Sequence, residues 1–121
     1  MSSPTISLGL MGCGHVAFYG HLPAIVKTRG ATLGALFDPD PVRLEAAARE
    51  FRPTLATTDI DEFFRSGIDA VVVTSPAPYH LDNVQHAARH GKHVLCEKPL
   101  ALNETDIEKM IALMDAARLL L

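Results

Sequence analysis

The sequence predicts an α/β fold built on a doubly wound parallel sheet, and three observations carry the prediction. Short apolar runs at residues 6–11, 32–37, 69–74 and 93–96 alternate with stretches of helical period. These runs are nearly continuous in apolar residues, as strands covered on both faces must be. They stop at glycine, proline or charged residues, so each delivers the chain to one edge of a sheet. Repeated strand-helix-strand units of this kind give a parallel sheet with helices on both sides.

The first strand is residues 6–11, which stop at glycines. Residues 16–28 have helical spacing at Val16, Tyr19, Ala24 and Ile25, but Gly20 and Pro23 interrupt it, so the helix is expected to kink or restart near Pro23. The strand 32–37 ends in Asp38-Pro39-Asp40-Pro41. Pro41 suits the first turn of a helix over 42–51, and Asp40 before it is the natural N-cap. A brief strand is expected at 55–57 and a short helix at 60–65, closed by Gly67. Ala70-Val71-Val72-Val73 is the strongest strand signal because β-branched residues fill it. Leu81, Val84 and Ala88 recur at helical spacing, with Gly91 as a left-handed cap before the strand 93–96. Asn103 caps a last helix in which Ile107, Met110, Ile111 and Met114 are expected to line one face, with Asp106 in the first turn favourable to the helix dipole.

At 121 residues the chain has room for one domain, and 48% apolar with 21% charged residues is ordinary globular composition. The net charge of −3 and scattered basic residues offer no stripe that would track a phosphate backbone, which argues against nucleic acid. No apolar stretch has the length of a membrane span, and Met1-Ser2-Ser3-Pro4-Thr5 carries no basic residue of a signal peptide. Cys13 and Cys96 are too few for a disulfide framework or a zinc site and read as reduced thiols, so a cytoplasmic location is expected. His86 and His90 stand four apart, but no third ligand is near and no Glu intervenes as in H-E-x-x-H, so no metal site is expected.

Gly12-Cys13-Gly14-His15-Val16-Ala17 follows the first strand and opens a helix, matching the G-x-G-x-x-G/A pattern of dinucleotide-binding folds. Gly12 permits the tight turn, Gly14 lets the backbone approach a pyrophosphate, and Ala17 keeps the helix close to the sheet. The N–H groups of this loop, through His15 and Val16, face the phosphates. Asp38, at the end of the second strand, lies near the spacing of about 20 residues at which an acid holds the adenosine ribose. Asp40 takes the capping position, which leaves Asp38 free for the ribose hydroxyls. A carboxylate there repels a 2′-phosphate, so NAD is expected before NADP. Arg43 keeps NADP open, since it can turn to a phosphate from the next helix.

The turn Thr74-Ser75-Pro76-Ala77-Pro78-Tyr79-His80 leaves the fourth strand beside the switch point, where a nicotinamide would lie. Two readings stand for His80: contact with cofactor or substrate, or a surface residue beginning a helix. Thr74 and Ser75 either join the cofactor site or satisfy local backbone groups. Glu97-Lys98-Pro99 closes the strand 93–96 with two charges and a proline. The bland reading is an ion pair and a turn, and the chemical one is a Lys that donates to a reacting hydroxyl or carbonyl. Pro99 would fix the chain path, with a cis bond as one way to do so.

With these sites named, the chain resembles the N-terminal NAD(P)-binding Rossmann domain of the Gfo/Idh/MocA oxidoreductases over essentially all its residues. Gly12 to Ala17 followed by His21-Leu22-Pro23 is similar to that family's opening, Asp38 falls on its ribose-binding acid, and Gly91-Lys92-His93-Val94-Leu95-Cys96-Glu97-Lys98-Pro99 resembles its most specific stretch. His80 matches the His of a T-P-N-x-x-H turn, in which Ala77 here replaces the Asn. The resemblance implies hydride transfer between nicotinamide and a sugar, inositol or related polyol, with Lys98 as the catalytic contact to the substrate hydroxyl. It implies cofactor contacts from Gly12, Cys13, Gly14, His15, Val16, Asp38, Thr74, Ser75, Pro76, His80 and Glu97. It also implies a second α/β domain that carries the pocket and supports a homo-oligomer. Residues 1–121 are therefore expected to be a fragment ending at Leu119-Leu120-Leu121. The competing expectation is a non-catalytic dinucleotide sensor, which would need the glycine loop and Asp38 but not Lys98.

Overall fold

In the computed structural model, residues 4–121 are described; Met1-Ser2-Ser3, part of the segment read above for a signal peptide, lie outside them. Among the described residues five parallel strands form one sheet: β1 (Ile6–Met11), β2 (Ala31–Phe37), β3 (Leu55–Thr57), β4 (Ala70–Val73) and β5 (His93–Cys96), in the order β3-β2-β1-β4-β5. This is the doubly wound α/β arrangement that the apolar runs predict. After β3 the chain crosses the sheet to lay β4 against the free side of β1. The connections leaving β1 and β4 therefore diverge, and the crevice between them is the switch point at which such sheets bind ligands.

Alternate side chains of β1, β2 and β4 enter different cores. Leu10, Leu36 and Val72 lie on one side with Leu22, Ile25, Leu44 and Ala47, the buried residues of α1 (Leu22–Lys27) and α2 (Pro41–Phe51). Met11, Ala35, Val71 and Val73 lie on the other with residues of α3 (Ile60–Phe64), α4 (His80–Arg89) and α5 (Glu104–Ala116). Because both faces are covered, both sets must be apolar, which is why the strands read as unbroken hydrophobic runs.

The caps follow the sequence closely. Asp40 accepts from Val42 N at 2.9 Å ahead of α2, and Asn103 accepts from Asp106 N at 2.9 Å ahead of α5. Gly91, at φ +70°, closes α4 as Lys92 N–H reaches back to Ala87 O. The interrupted helix after β1 is resolved by widening it. Helical backbone starts at His15, a π-helical turn spans Ala17–His21, and α1 continues. Leu22 N–H reaches Ala17 O, one residue further than in an α-helix, and Pro23, which has no N–H to give, sits in the first turn of α1.

One packing expectation changes. Met110 and Met114 are buried and Ile107 is half-buried, but Ile111 is 47% exposed. A helix with i, i+3 and i+4 apolar positions has a stripe wider than the sheet beneath can cover, and Ile111 lies at its edge. Among the described residues no helix is long and apolar enough to cross a membrane.

Candidate functional site

The glycine loop is held in place by its neighbours on both sides. Gly12 has φ +99°, donates its N–H to Phe37 O at 2.9 Å, and packs so closely on the β4 turn that an added Cβ would stand 2.5 Å from Ser75 N and 2.7 Å from the Thr74 carbonyl carbon. Thr74 Oγ1 donates to Gly12 O at 2.7 Å and lies 3.0 Å from Met11 O. Thr74 thus serves the local backbone, joining the ends of β1 and β4. Gly14 is the opposite case: a Cβ there would meet nothing within 4 Å. The backbone is bare at that point, so a phosphate has room to approach it.

Asp38 is not free, contrary to the expectation from sequence. It is only 2% exposed, and its carboxylate accepts from Cys13 N at 2.8 Å and from Asp40 N at 2.8 Å, with Arg43 Nε at 3.4 Å. Local sequence assigns capping to Asp40, but nothing in it places Cys13 N–H, at the end of the neighbouring strand, beside Asp38. An ionised carboxylate offers about four lone-pair sites, so these contacts orient Asp38 without exhausting it. Arg43 also reaches Asp40, with Nη1 to Oδ2 at 3.5 Å, and over half its side chain is exposed.

A cleft of about 480 Å³ opens between the β2 and β4 ends, lined by Gly12, Asp38, Arg43, Ser75, Tyr79 and Asn83 among others. A smaller hollow of about 340 Å³ shares Gly12, Asp38, Arg43, Ser75 and Pro76 with it and adds Gly14, His15, Val16 and Thr74. Most of the cofactor residues expected from sequence therefore border one continuous crevice at the switch point.

His80 does not border it. The ring is 1% exposed, with Nε2 at 2.7 Å from Ser75 O and Nδ1 at 3.0 and 3.1 Å from Pro99 O and Leu100 O. Neither reading from sequence foresaw this: His80 is neither a surface residue nor open to the cleft, but clamps the β4 turn to the segment after β5. Ala77, in the Asn position of the family turn, belongs to a single 3₁₀ turn, Ala77–Tyr79, that precedes α4.

At the other side of the loop, His21 Nε2 and Glu97 Oε2 are 2.7 Å apart, and Glu97 Oε1 accepts from Lys98 N at 3.1 Å. These two bonds hold the Glu97 carboxyl below the usual carboxylate range, the His21 contact first. His21 was quoted from sequence only as part of an opening motif, and its pairing was missed. No local signal announces it, since the two residues stand 76 positions apart in the chain. Lys98 is exposed and is joined to Pro99 by a cis peptide bond.

The cysteines are poorly placed for nucleophilic chemistry. Burial, reinforced by the charge of Asp38, pushes the Cys13 thiol up to about 12, and burial with Glu97 nearby pushes Cys96 up to about 11. His86 and His90 lie against Phe64, with ring centroids 5.9 and 5.1 Å from it. Among the described residues no cluster of three His, Cys, Asp or Glu is arranged to hold a metal.

A pH dependence follows from Glu97. A carboxyl lowered in the fold contributes stability that is complete above its unfolded value of 4.5 and is lost as pH falls through the lower folded value. Urea midpoints of wild type and Glu97→Gln, followed from about pH 7 to about pH 3, are expected to differ at the neutral end and to converge at the acid end. Parallel profiles would contradict the pairing.

Comparison with known proteins matches this geometry. The family described as "Oxidoreductase family, NAD-binding Rossmann fold" matches residues 6–121. Inositol 2-dehydrogenase of Rhizobium meliloti is 35% identical over 99 residues, covering 82% of this chain and 29% of that protein. Apo scyllo-inositol dehydrogenase from Lactobacillus casei superposes with a TM-score of 0.89 at 31% identity, over 99% of this chain and 36% of that one. WlbA dehydrogenase from Bordetella pertussis, solved with NADH and UDP-GlcNAcA, superposes at 0.90 with 28% identity, over 98% of this chain and 34% of that one. The chain thus spans about a third of the length of the relatives it matches.

Proposed function

Since the chain belongs to the Gfo/Idh/MocA oxidoreductases, we propose that it is the NAD-binding part of an enzyme that moves hydride between nicotinamide and a sugar, inositol or related polyol. The observation that carries this reading is the coupling of the glycine loop to the ribose acid, Cys13 N to Asp38 at 2.8 Å, at the floor of the switch-point crevice. Gly14 leaves the pyrophosphate its approach, and Asp38, already oriented, meets the adenosine ribose and favours NAD over NADP. His15 and Val16 border the phosphate end, with Ser75 and Pro76 along the β4 side.

When bound, nicotinamide supplies the hydride chemistry. Lys98 holds the substrate oxygen and moves its proton, and Glu97, fixed between His21 and the Lys98 N–H, sets where Lys98 begins. His80 acts at one remove, fastening the β4 turn to the Lys98-Pro99 segment. A sensor needs no Lys at this edge, which is why the catalytic reading is preferred. We place the enzyme in the cytoplasm, as a homo-oligomer, where reduced Cys13 and Cys96 are at home.

Thermal shift with NAD tests the reading. At about 100 times the dissociation constant, NAD should stabilise the chain by roughly 2.7 kcal/mol. Lys98→Ala should keep that shift while reducing polyol-dependent NAD reduction in the whole protein by about 10² or more. Absence of any NAD-induced stabilisation would overturn the proposal.

A further inference from the structure

Resting on that reading of the cleft, we infer that Asn83 is the residue that recognises the adenine base. Asn83 lies in the first turn of α4, is 6% exposed, and borders the 480 Å³ cleft with Arg43, Ile60 and Tyr79. Its Oδ1 accepts from Ser75 Oγ at 2.5 Å. Among the described residues Nδ2 has no protein partner, yet no buried side-chain nitrogen or oxygen is left unsatisfied. Nδ2 therefore keeps access to solvent, and the residue that carries it lines the cleft. A primary amide rarely gives up two donors in a nearly closed position unless something else takes them.

The chemistry of the amide selects its ligand. Ser75 uses one lone pair of Oδ1, leaving the other beside the Nδ2 donors. An acceptor and a donor side by side match adenine, which offers its N6 amino group next to N1 on one edge and next to N7 on the other. Arg43 and Tyr79, both exposed side chains at the cleft walls, supply flat surfaces for the ring faces. Asp38 borders the same cleft and takes the ribose, so base and sugar have separate readers. Hypoxanthine places an oxygen where adenine has the amino group, and that oxygen meets Oδ1 acceptor to acceptor.

The test is calorimetric titration of the chain with NAD and with nicotinamide hypoxanthine dinucleotide. Wild type is expected to prefer NAD by about tenfold or more. Asn83→Leu should bring the ratio towards one. Asn83→Asp, which keeps the shape and the acceptor for Ser75 and for the N6 amino group, guards against a folding defect and should keep a preference for NAD. Equal weakening of both dinucleotides by Asn83→Leu would mean that Asn83 only positions the Ser75 turn, and it would overturn the assignment. Binding of NAD without discrimination by wild type would overturn it while leaving the NAD site intact. Failure of wild type to bind either dinucleotide would overturn both.

Discussion

Asp38→Ala is expected to abolish detectable NAD binding and to lower folding stability by about 1–4 kcal/mol, since a buried N–H group loses its acceptor at about 1–3 kcal/mol and a part-buried one adds up to about 1 kcal/mol. Those groups are Cys13 N–H and Asp40 N–H, both 2.8 Å from the carboxylate. One belongs to the glycine loop and the other to the start of α2, so the substitution releases both walls of the crevice together. Urea unfolding measures the first effect and calorimetry with NAD the second. Asp38→Asn should fall between, because an amide keeps one acceptor but turns its NH₂ towards the other donor. If Asp38 served the ligand alone, stability without NAD would be unchanged, and that result would refute the bridging role.

Gly12→Val is expected to cost more than any substitution elsewhere in the loop. The residue sits at φ +99°, where an L side chain is strained, and its Cβ would stand 2.5 Å from the Ser75 backbone nitrogen, which cannot turn aside as a side chain would. Left-handed backbone costs roughly 1–2 kcal/mol and overpacking a further 1–3 kcal/mol. The melting temperature should therefore fall by roughly 10 °C. Gly14→Val is the control: its Cβ would point into open space, so stability should hold while NAD affinity falls. Equal destabilisation by the two would refute the division of labour between the glycines.

Much of this was legible before folding. The five strands, their parallel sense and the caps at Asp40, Asn103 and Gly91 follow from periodicity and local chemistry, because they depend on residues a few positions apart. The glycine loop was equally plain, since a motif with its flanking strand and helix is a local pattern. The π-helical turn was visible only as an irregularity around Gly20 and Pro23. Whether Pro23 would kink the helix or widen it depends on which geometry keeps Ala17, Leu22 and Ile25 against the sheet, and that is a packing decision.

What the sequence determined by itself is the kind of site: a bare backbone loop for phosphate, an acid at the next strand end and a Lys at the last. What the tertiary structure decided is the use of each polar group. It committed Asp38 to Cys13 and Asp40, paired His21 with Glu97, closed His80 between Ser75 and Pro99, and set Asn83 against Ser75 at the cleft. These partners are up to 76 residues apart in the chain and meet only because the parallel crossovers bring the carboxyl ends of the strands to one edge. A hydrogen bond acts over about 3 Å, so its partners are fixed by the packed sheet and not by sequence neighbours.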